Sequence, residues 1–209
     1  MTARPVLAPP DSPAPDGDDV VGIVLAAGTS TRFGDRNKLC EPVDGVPMVR
    51  RVAETLLAAR LDAVAVVVGH DAAAVRETIA DLDIAVVETD AHAAGQSRSV
   101  RRGVAWARDR GADAALIALG DMPYVESETV DALVATHERD GASALAAAHE
   151  GERGNPVLFD AAHFAALSAV EGDRGGRDIF LNADDAALVE TSDPGVRRDV
   201  DVPGDLDPS

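Results

Sequence analysis

Of the 19 basic residues in the chain, 18 are arginine and one, Lys38, is lysine. The exception stands in "GTSTRFGDRNKL", a loop that follows the apolar run "VVGIVLAA". An ammonium is a compact point charge on a flexible stem, whereas a guanidinium is a planar fork. The choice matters where a cation must follow an anion whose geometry changes. The same loop sets Thr29, Ser30 and Thr31 between glycines and adds Arg32. Small residues of this kind let backbone N–H groups approach a polyanion closely. The spacing fits neither GxxxxGK[ST] nor GxGxxG, and an ordinary surface connection is the alternative reading.

Carboxylates supply the second candidate chemistry. In "ALGDMPYV", Asp121 falls just past a buried apolar run and beside Gly120. A carboxylate so placed can hold Mg2+ through one or two oxygens while phosphates and water complete the shell; a turn-forming aspartate is the plainer reading. In "DVDVPGDL", Asp199 and Asp201 straddle Val200, so in an extended segment only one of them faces a given side. The glycine-flanked turns "AAGQSRSVRRG" and "EGDRGGRD" carry Gly95, Ser97, Ser99, Arg174 and Arg177. Arginines framed by glycines in an acidic chain suggest anion capture, with surface ion pairing as the alternative. The histidines show no HxxxH or Cys/His spacing, which argues against zinc. His70 falls at a strand end, His137 on a helix face and Trp106 in an apolar face, while Cys40 reads as structural.

These residues need a scaffold, and the hydrophobic pattern provides one. "VVGIVLAA", "DAVAVVVGH", "DIAVVET" and "AALIALGD" are short apolar runs of the kind found in strands covered on both faces. Between them, "PMVRRVAETLLAAR", residues 72–80 and "QSRSVRRGVAWARDR" show helical spacing, and residues 127–139 follow as a further helix. The alternation predicts an α/β fold with a doubly wound, mostly parallel, Rossmann-like sheet in three α/β/α layers. Ligands of such sheets bind at the carboxyl ends of the strands, where the candidates above fall. Further on, "ASALAAAHE" and "NPVLFD" read as shorter strands, "AAHFAALSAV" and "RDIFLNA" as helices, and "RRDVDV" as a terminal strand. Residues 1–19, rich in Pro and Asp, read as a disordered leader before a single domain over 20–209.

Composition narrows the function classes. A net charge of −18 argues against nucleic-acid binding and against docking on anionic lipid, since both need a basic footprint. No apolar run approaches a membrane span, and the N-terminus lacks the apolar stretch of a secretory signal. A single cysteine excludes an internal disulfide framework and suits a reducing cytoplasm. The Asp-rich, Lys-poor balance is what a high-salt, halophilic cytoplasm favours, where ions screen self-repulsion; a GC-rich genome is its other source.

Taken together, "LAAGTSTRFGDRNKL", "GQSRS", "GDMP", "GNPV", "GDRGGR" and "DVDVPGDL" resemble the MobA-like nucleotidyltransferase family, and most closely its molybdenum cofactor cytidylyltransferase branch. The motifs follow in family order from Leu25 to Leu206. The resemblance implies a nucleotide-diphospho-sugar transferase type of fold and an enzyme of molybdenum cofactor biosynthesis. It implies that Leu25, Ala26, Ala27, Gly28, Thr29, Ser30 and Thr31 cradle a nucleoside triphosphate, with CTP favoured by "LAAG" over GTP. Gly95, Ser97, Ser99, Arg174 and Arg177 would add binding contacts. Arg32 and Lys38 would grip the triphosphate, and Asp121 with Asp201 would carry Mg2+. The acceptor would be the phosphate of molybdopterin or its molybdenum-bearing form, and a molybdoenzyme could receive the product. Departures include "VVETDAHAAG", Arg98 and Val202, where the family usually has an Asn, a small residue and a Thr. The alternatives are transfer to a sugar phosphate or another small phosphorylated acceptor, and a non-catalytic protein that binds nucleotide or cofactor during maturation.

Overall fold

The computed structural model describes residues 4–10, 17–29, 37–89, 96–172 and 176–206. The described residues form ten strands: β1 (Val6–Leu7), β2 (Val20–Ala26), β3 (Pro42–Val43), β4 (Val46–Pro47), β5 (Ala63–Val68), β6 (Ala85–Glu88), β7 (Ala114–Leu119), β8 (Ala144–His149), β9 (Glu152–Asp160) and β10 (Ala187–Glu190). The helices are α1 (Met48–Ala58), α2 (Ala72–Thr78), α3 (Gln96–Arg110), α4 (Ser127–Asp140), α5 (Phe164–Leu167) and α6 (Arg177–Asn182). Eight strands form one sheet in the order β1-β10-β8-β9-β7-β2-β5-β6, and β3 and β4 form a small hairpin. Every pairing in the large sheet is parallel except the two made by β9.

The three layers follow from residue alternation. Side chains alternate across a strand, so β2 sends Val20, Val24 and Ala26 into one core and Val21, Ile23 and Leu25 into the other. The first core is closed by α1, α2 and α4 through Val52, Leu56, Val75, Val130 and Leu133. The second is closed by α3, α5 and α6 through Val100, Val104, Phe164 and Phe180. In α3, a Cβ on Gly103 would stand 2.5 Å from Ile23 Cγ2, so only glycine lets this helix lie so close to β2. That contact fixes how far the start of α3 reaches over the carboxyl edge of the sheet.

Three segments differ from their sequence reading. Within the segment read as a disordered leader, Val6–Leu7 pairs in parallel with Leu188–Val189. Arg4 ties it down, donating to Ala183 O at 2.6 Å and to Leu181 O. "RRDVDV" is not a strand. Its backbone N–H groups find other acceptors: Val200 N donates to Asp121 O at 2.9 Å, and Asp201 N to Asp205 Oδ2 at 2.8 Å. "AAHFAALSAV" gives a 3-10 turn and a four-residue helix rather than one long helix.

β9 is also longer than "NPVLFD" suggests, and its irregularity shapes the site. Val157 faces Ala146 and Arg153 faces Ala148, so Gly154, Asn155 and Pro156 stand opposite Ala147 alone. Bulges of this sort bend a strand and re-aim its side chains. Pairing of β9 with β7 ends at Ile117–Val157, one end of an opening that continues past Leu119.

Candidate active site

The carboxyl ends of β2, β5, β6 and β7 lie along one edge of the sheet, as their parallel pairing requires. From β2 the chain passes through buried Ala27 to exposed Gly28 and Thr29. It returns as a 3-10 turn, Lys38–Cys40, capped by the Asn37 side chain: Leu39 N donates to Asn37 Oδ1 at 3.0 Å. Leu39 enters the core at 4% exposure, and this anchor fixes the base of the Lys38 side chain beside the end of β7. There Gly120 N donates to Leu25 O at 3.0 Å. A Cβ on Gly120 would meet the same oxygen at 2.9 Å, so glycine allows the Asp121 turn to sit directly against β2.

Lys38, Asp121 and Asp201, from three distant parts of the chain, meet at this point. Lys38 Nζ donates to Asp121 Oδ2 at 2.7 Å, to Asp201 Oδ1 at 3.0 Å and to Val200 O at 3.1 Å. The side chains are 15%, 24% and 44% exposed for Lys38, Asp121 and Asp201, so the cluster opens to solvent on the Asp201 side. Burial works to lower the Lys38 pKa, but the carboxylates of Asp121 and Asp201 outweigh it and hold the ammonium above the usual lysine value. Lys38 is therefore fully charged at neutral pH.

Two residues unmarked in the sequence reading build this geometry. Asp205 accepts from Asp201 N and Val202 N, both at 2.8 Å, and those N–H groups hold its carboxyl below the usual carboxylate range. Buried Asp193 accepts from Glu126 N, Thr129 Oγ1 and Gly195 N at 2.9, 2.8 and 2.7 Å, which pins the loop after Met122. Asp205 belongs to the quoted "DVDVPGDL", so its aspartate pattern was a usable signal. Asp193 lay in "TSDPG", which looks like any turn.

The other candidates divide. Asp199 lines a recess of about 240 Å³ with Met122, Asn155 and Arg197, whereas Asp201 meets Lys38. Leu25 and Arg177 line a larger cavity of about 410 Å³, with Gln96, Val100, Leu119 and Phe159. Ser97 and Ser99 are buried in α3, and Ser97 N donates to Gly172 O at 3.2 Å. Their neighbours Gln96 and Val100 are the α3 residues on the cavity wall. Ser30, Thr31, Arg32, Gly95 and Arg174 lie outside the described residues. Cys40 is no nucleophile: burial, then Asp71, pushes its thiol up to about 11, so it stays protonated at neutral pH. His137 is buried in α4 with Nδ1 against Ala142 O at 3.1 Å, and Trp106 is only partly buried, stacked with Arg110.

Residues 22–187 match the MobA-like NTP transferase domain. The chain belongs to that family. Among its relatives is the purine catabolism protein PucB of Bacillus subtilis, 30% identical over 198 residues, covering 90% of this chain and 94% of that protein. Another is the nicotine blue oxidoreductase of Paenarthrobacter nicotinovorans, 32% identical over 191 residues, with 87% and 92% covered. Among solved structures, Rv0371C of Mycobacterium tuberculosis H37Rv in complex with manganese is 25% identical, covers 90% of this chain and 95% of that one, and superimposes with a TM-score of 0.75. The sheet order and layers are thus those of the nucleotide-diphospho-sugar transferase fold, and nucleotidyl transfer is the class of reaction the family supports. Among the described residues no helix is long and apolar enough to cross a membrane.

Proposed function

We propose that this chain transfers a nucleoside monophosphate, CMP from CTP, onto the phosphate of molybdopterin or its molybdenum-bearing form, with release of pyrophosphate. The observation that carries the reading is the convergence of Lys38, Asp121 and Asp201 at the carboxyl edge of the sheet. In the reaction an acceptor phosphate oxygen forms a bond to the α-phosphorus, and the bond from that phosphorus to the oxygen bridging to the β-phosphate breaks. The leaving pyrophosphate takes the electron pair. A phosphate monoester has a second pKa of about 6, so the nucleophile is already ionised and no general base is required. The barrier lies in bringing two polyanions together, which positioning and charge neutralisation must overcome.

The cluster's donor set fits a divalent cation. Asp121 Oδ2 and Asp201 Oδ1 converge on one cationic nitrogen within 3.0 Å, and hard cations such as Mg2+ bind through one or two carboxylates plus substrate phosphates. Bound there, Mg2+ would neutralise phosphate charge. Lys38 supplies a mobile charge-assisted donor whose carboxylate bonds are of the type it would make to phosphate oxygens. The Leu39 anchor fixes the backbone end of that side chain, and its ammonium end would exchange carboxylate oxygens for phosphate oxygens when substrate binds. The relative solved with manganese and the relative assigned to purine catabolism support the metal and a role in a small-molecule pathway.

Pyrophosphate release tests the proposal directly. The full chain is incubated with Mg2+, molybdopterin and each of the four NTPs in turn. CTP with molybdopterin should give the fastest release. Release with a sugar phosphate but not with molybdopterin would move the acceptor to the other class, and no release with any NTP and either acceptor would overturn transferase activity.

A further inference from the structure

The larger cavity holds a second charged feature, in which Arg177 of the "GDRGGR" turn is joined by Arg153, a residue outside the quoted family motifs. Arg153 and Arg177 both line its wall. Arg153 is carried there by the β9 bulge, and its guanidinium lies over the Phe180 ring, 4.9 Å from the centroid. Its Nε is buried without a hydrogen-bond partner. Burial depresses the Arg153 pKa and the charge of Arg177 depresses it further, so the two cations are close enough to feel each other. The chain has 37 acidic residues against 19 basic ones, yet among the described residues neither arginine is in an ion pair. A half-buried Arg153 beside an exposed Arg177, with no acidic partner for either among the described residues, is a site for an anion.

We propose that Arg153 and Arg177, flanked by Asn155 and Gln96, form a subsite that binds a phosphate monoester of the acceptor. A dianionic phosphate matches two guanidiniums in charge and accepts the paired N–H bonds that each presents. The same cavity offers the apolar faces of Leu25, Val100, Ile117 and Phe159 to the body of the molecule carrying it. The 15-residue helix α3 starts on this wall at Gln96, adding the positive end of its dipole. Leu119, Arg153, Gly154 and Asn155 also border the recess that contains Met122 and Asp199, each one or two positions from a carboxylate of the Lys38 cluster. Arg153 thus stands between the acceptor's cavity and the reaction centre. The identity of the phosphate's owner rests on the nucleotidyl-transfer reading; the anion site itself does not.

The test is a thermal melt of the full chain against inorganic phosphate, with sodium chloride at matched ionic strength to account for screening of the −18 charge. A ligand that binds only the folded state raises the midpoint. Phosphate should stabilise the wild type beyond chloride. Arg153→Gln and Arg177→Gln should each need at least about tenfold more phosphate for the same shift, the scale of one lost charge-assisted bond. Arg153→Lys should fall between them and wild type, and Arg110→Gln, which removes a cation stacked on Trp106, should match wild type. Phosphate acting no better than chloride, or Arg153→Gln and Arg177→Gln responding like wild type, would overturn the subsite. Pyrophosphate release on the same wild-type sample separates the two claims. A phosphate-specific shift without turnover would leave the subsite standing and remove the transferase reading; turnover without the shift would do the reverse.

Discussion

At one point on the carboxyl edge Lys38 stands between Asp121 and Asp201, one cation facing two carboxylates; along the neighbouring cavity wall Arg153 and Arg177 face no acidic partner among the described residues. The first arrangement retains an excess of negative charge and suits an added metal ion. The second retains an excess of positive charge and suits an added phosphate. Residue types follow the same division. On the proposed reading, lysine stands where a cation exchanges partners, and arginine where a planar fork holds one anion in a fixed pose. The proposed reaction, which brings two polyanions together, calls for both kinds of place side by side.

Lys38→Arg is the strongest way to break this contrast, because it puts the arginine solution at the lysine position. Turnover should fall by about 10²–10³, or roughly 3–4 kcal/mol in barrier, the usual cost of misplacing one electrostatic donor. The melting temperature should stay unchanged, since the charge is kept. Steady-state pyrophosphate release with a parallel melt decides it. Activity within about threefold of wild type, less than about 1 kcal/mol, would make Lys38 a structural cation that only holds Asp121 and Asp201 together.

Much of this contrast was readable before any coordinates. β2, β5, β7 and α3 were legible because each buries a continuous run or one face, and "QSRSVRRGVAWARDR" coincides with α3 residue for residue. Lys38, Asp121 and Asp201 were legible because they fall after such runs, or in an aspartate motif, at an edge where ligands bind. The C-terminal third was harder. β10 is a four-residue strand, "ALVE", too short to show a period. "RRDVDV" alternates as a strand would, but its N–H groups bond to Asp205 and Asp121 rather than to a neighbouring strand. Arg153 was overlooked because its importance depends on a bulge, and a bulge exists only in the register between two strands. In "GERGNPV" nothing local separates that arginine from any other.

A smaller effect sharpens the contrast through pH. The Lys38 pKa is raised in the folded chain, above an unfolded value of about 10.4. Its stabilising contribution is therefore complete below the unfolded pKa and is lost as pH rises through the higher folded one. Replacing it with Gln leaves two partly exposed carboxylates without their cation, a loss of about 1–2 kcal/mol. The difference in melting temperature between wild type and Lys38→Gln should be constant from about pH 7 to pH 10 and shrink above that. A difference that vanishes already below about pH 9 would show that the carboxylates do not hold the ammonium.

The metal assignment has a direct readout in Mn2+, which takes the same oxygen ligands as Mg2+ and gives an electron paramagnetic resonance signal while free in solution. The full chain with CTP is titrated with Mn2+, as wild type and as Asp121→Asn, and each is melted alongside. Wild type should take up one Mn2+ in a CTP-dependent manner, and Asp121→Asn should bind it at least about tenfold more weakly with an unchanged melt. Equal Mn2+ uptake by the two folded proteins would contradict the assignment of Asp121 and Asp201 as the carboxylates that carry the metal.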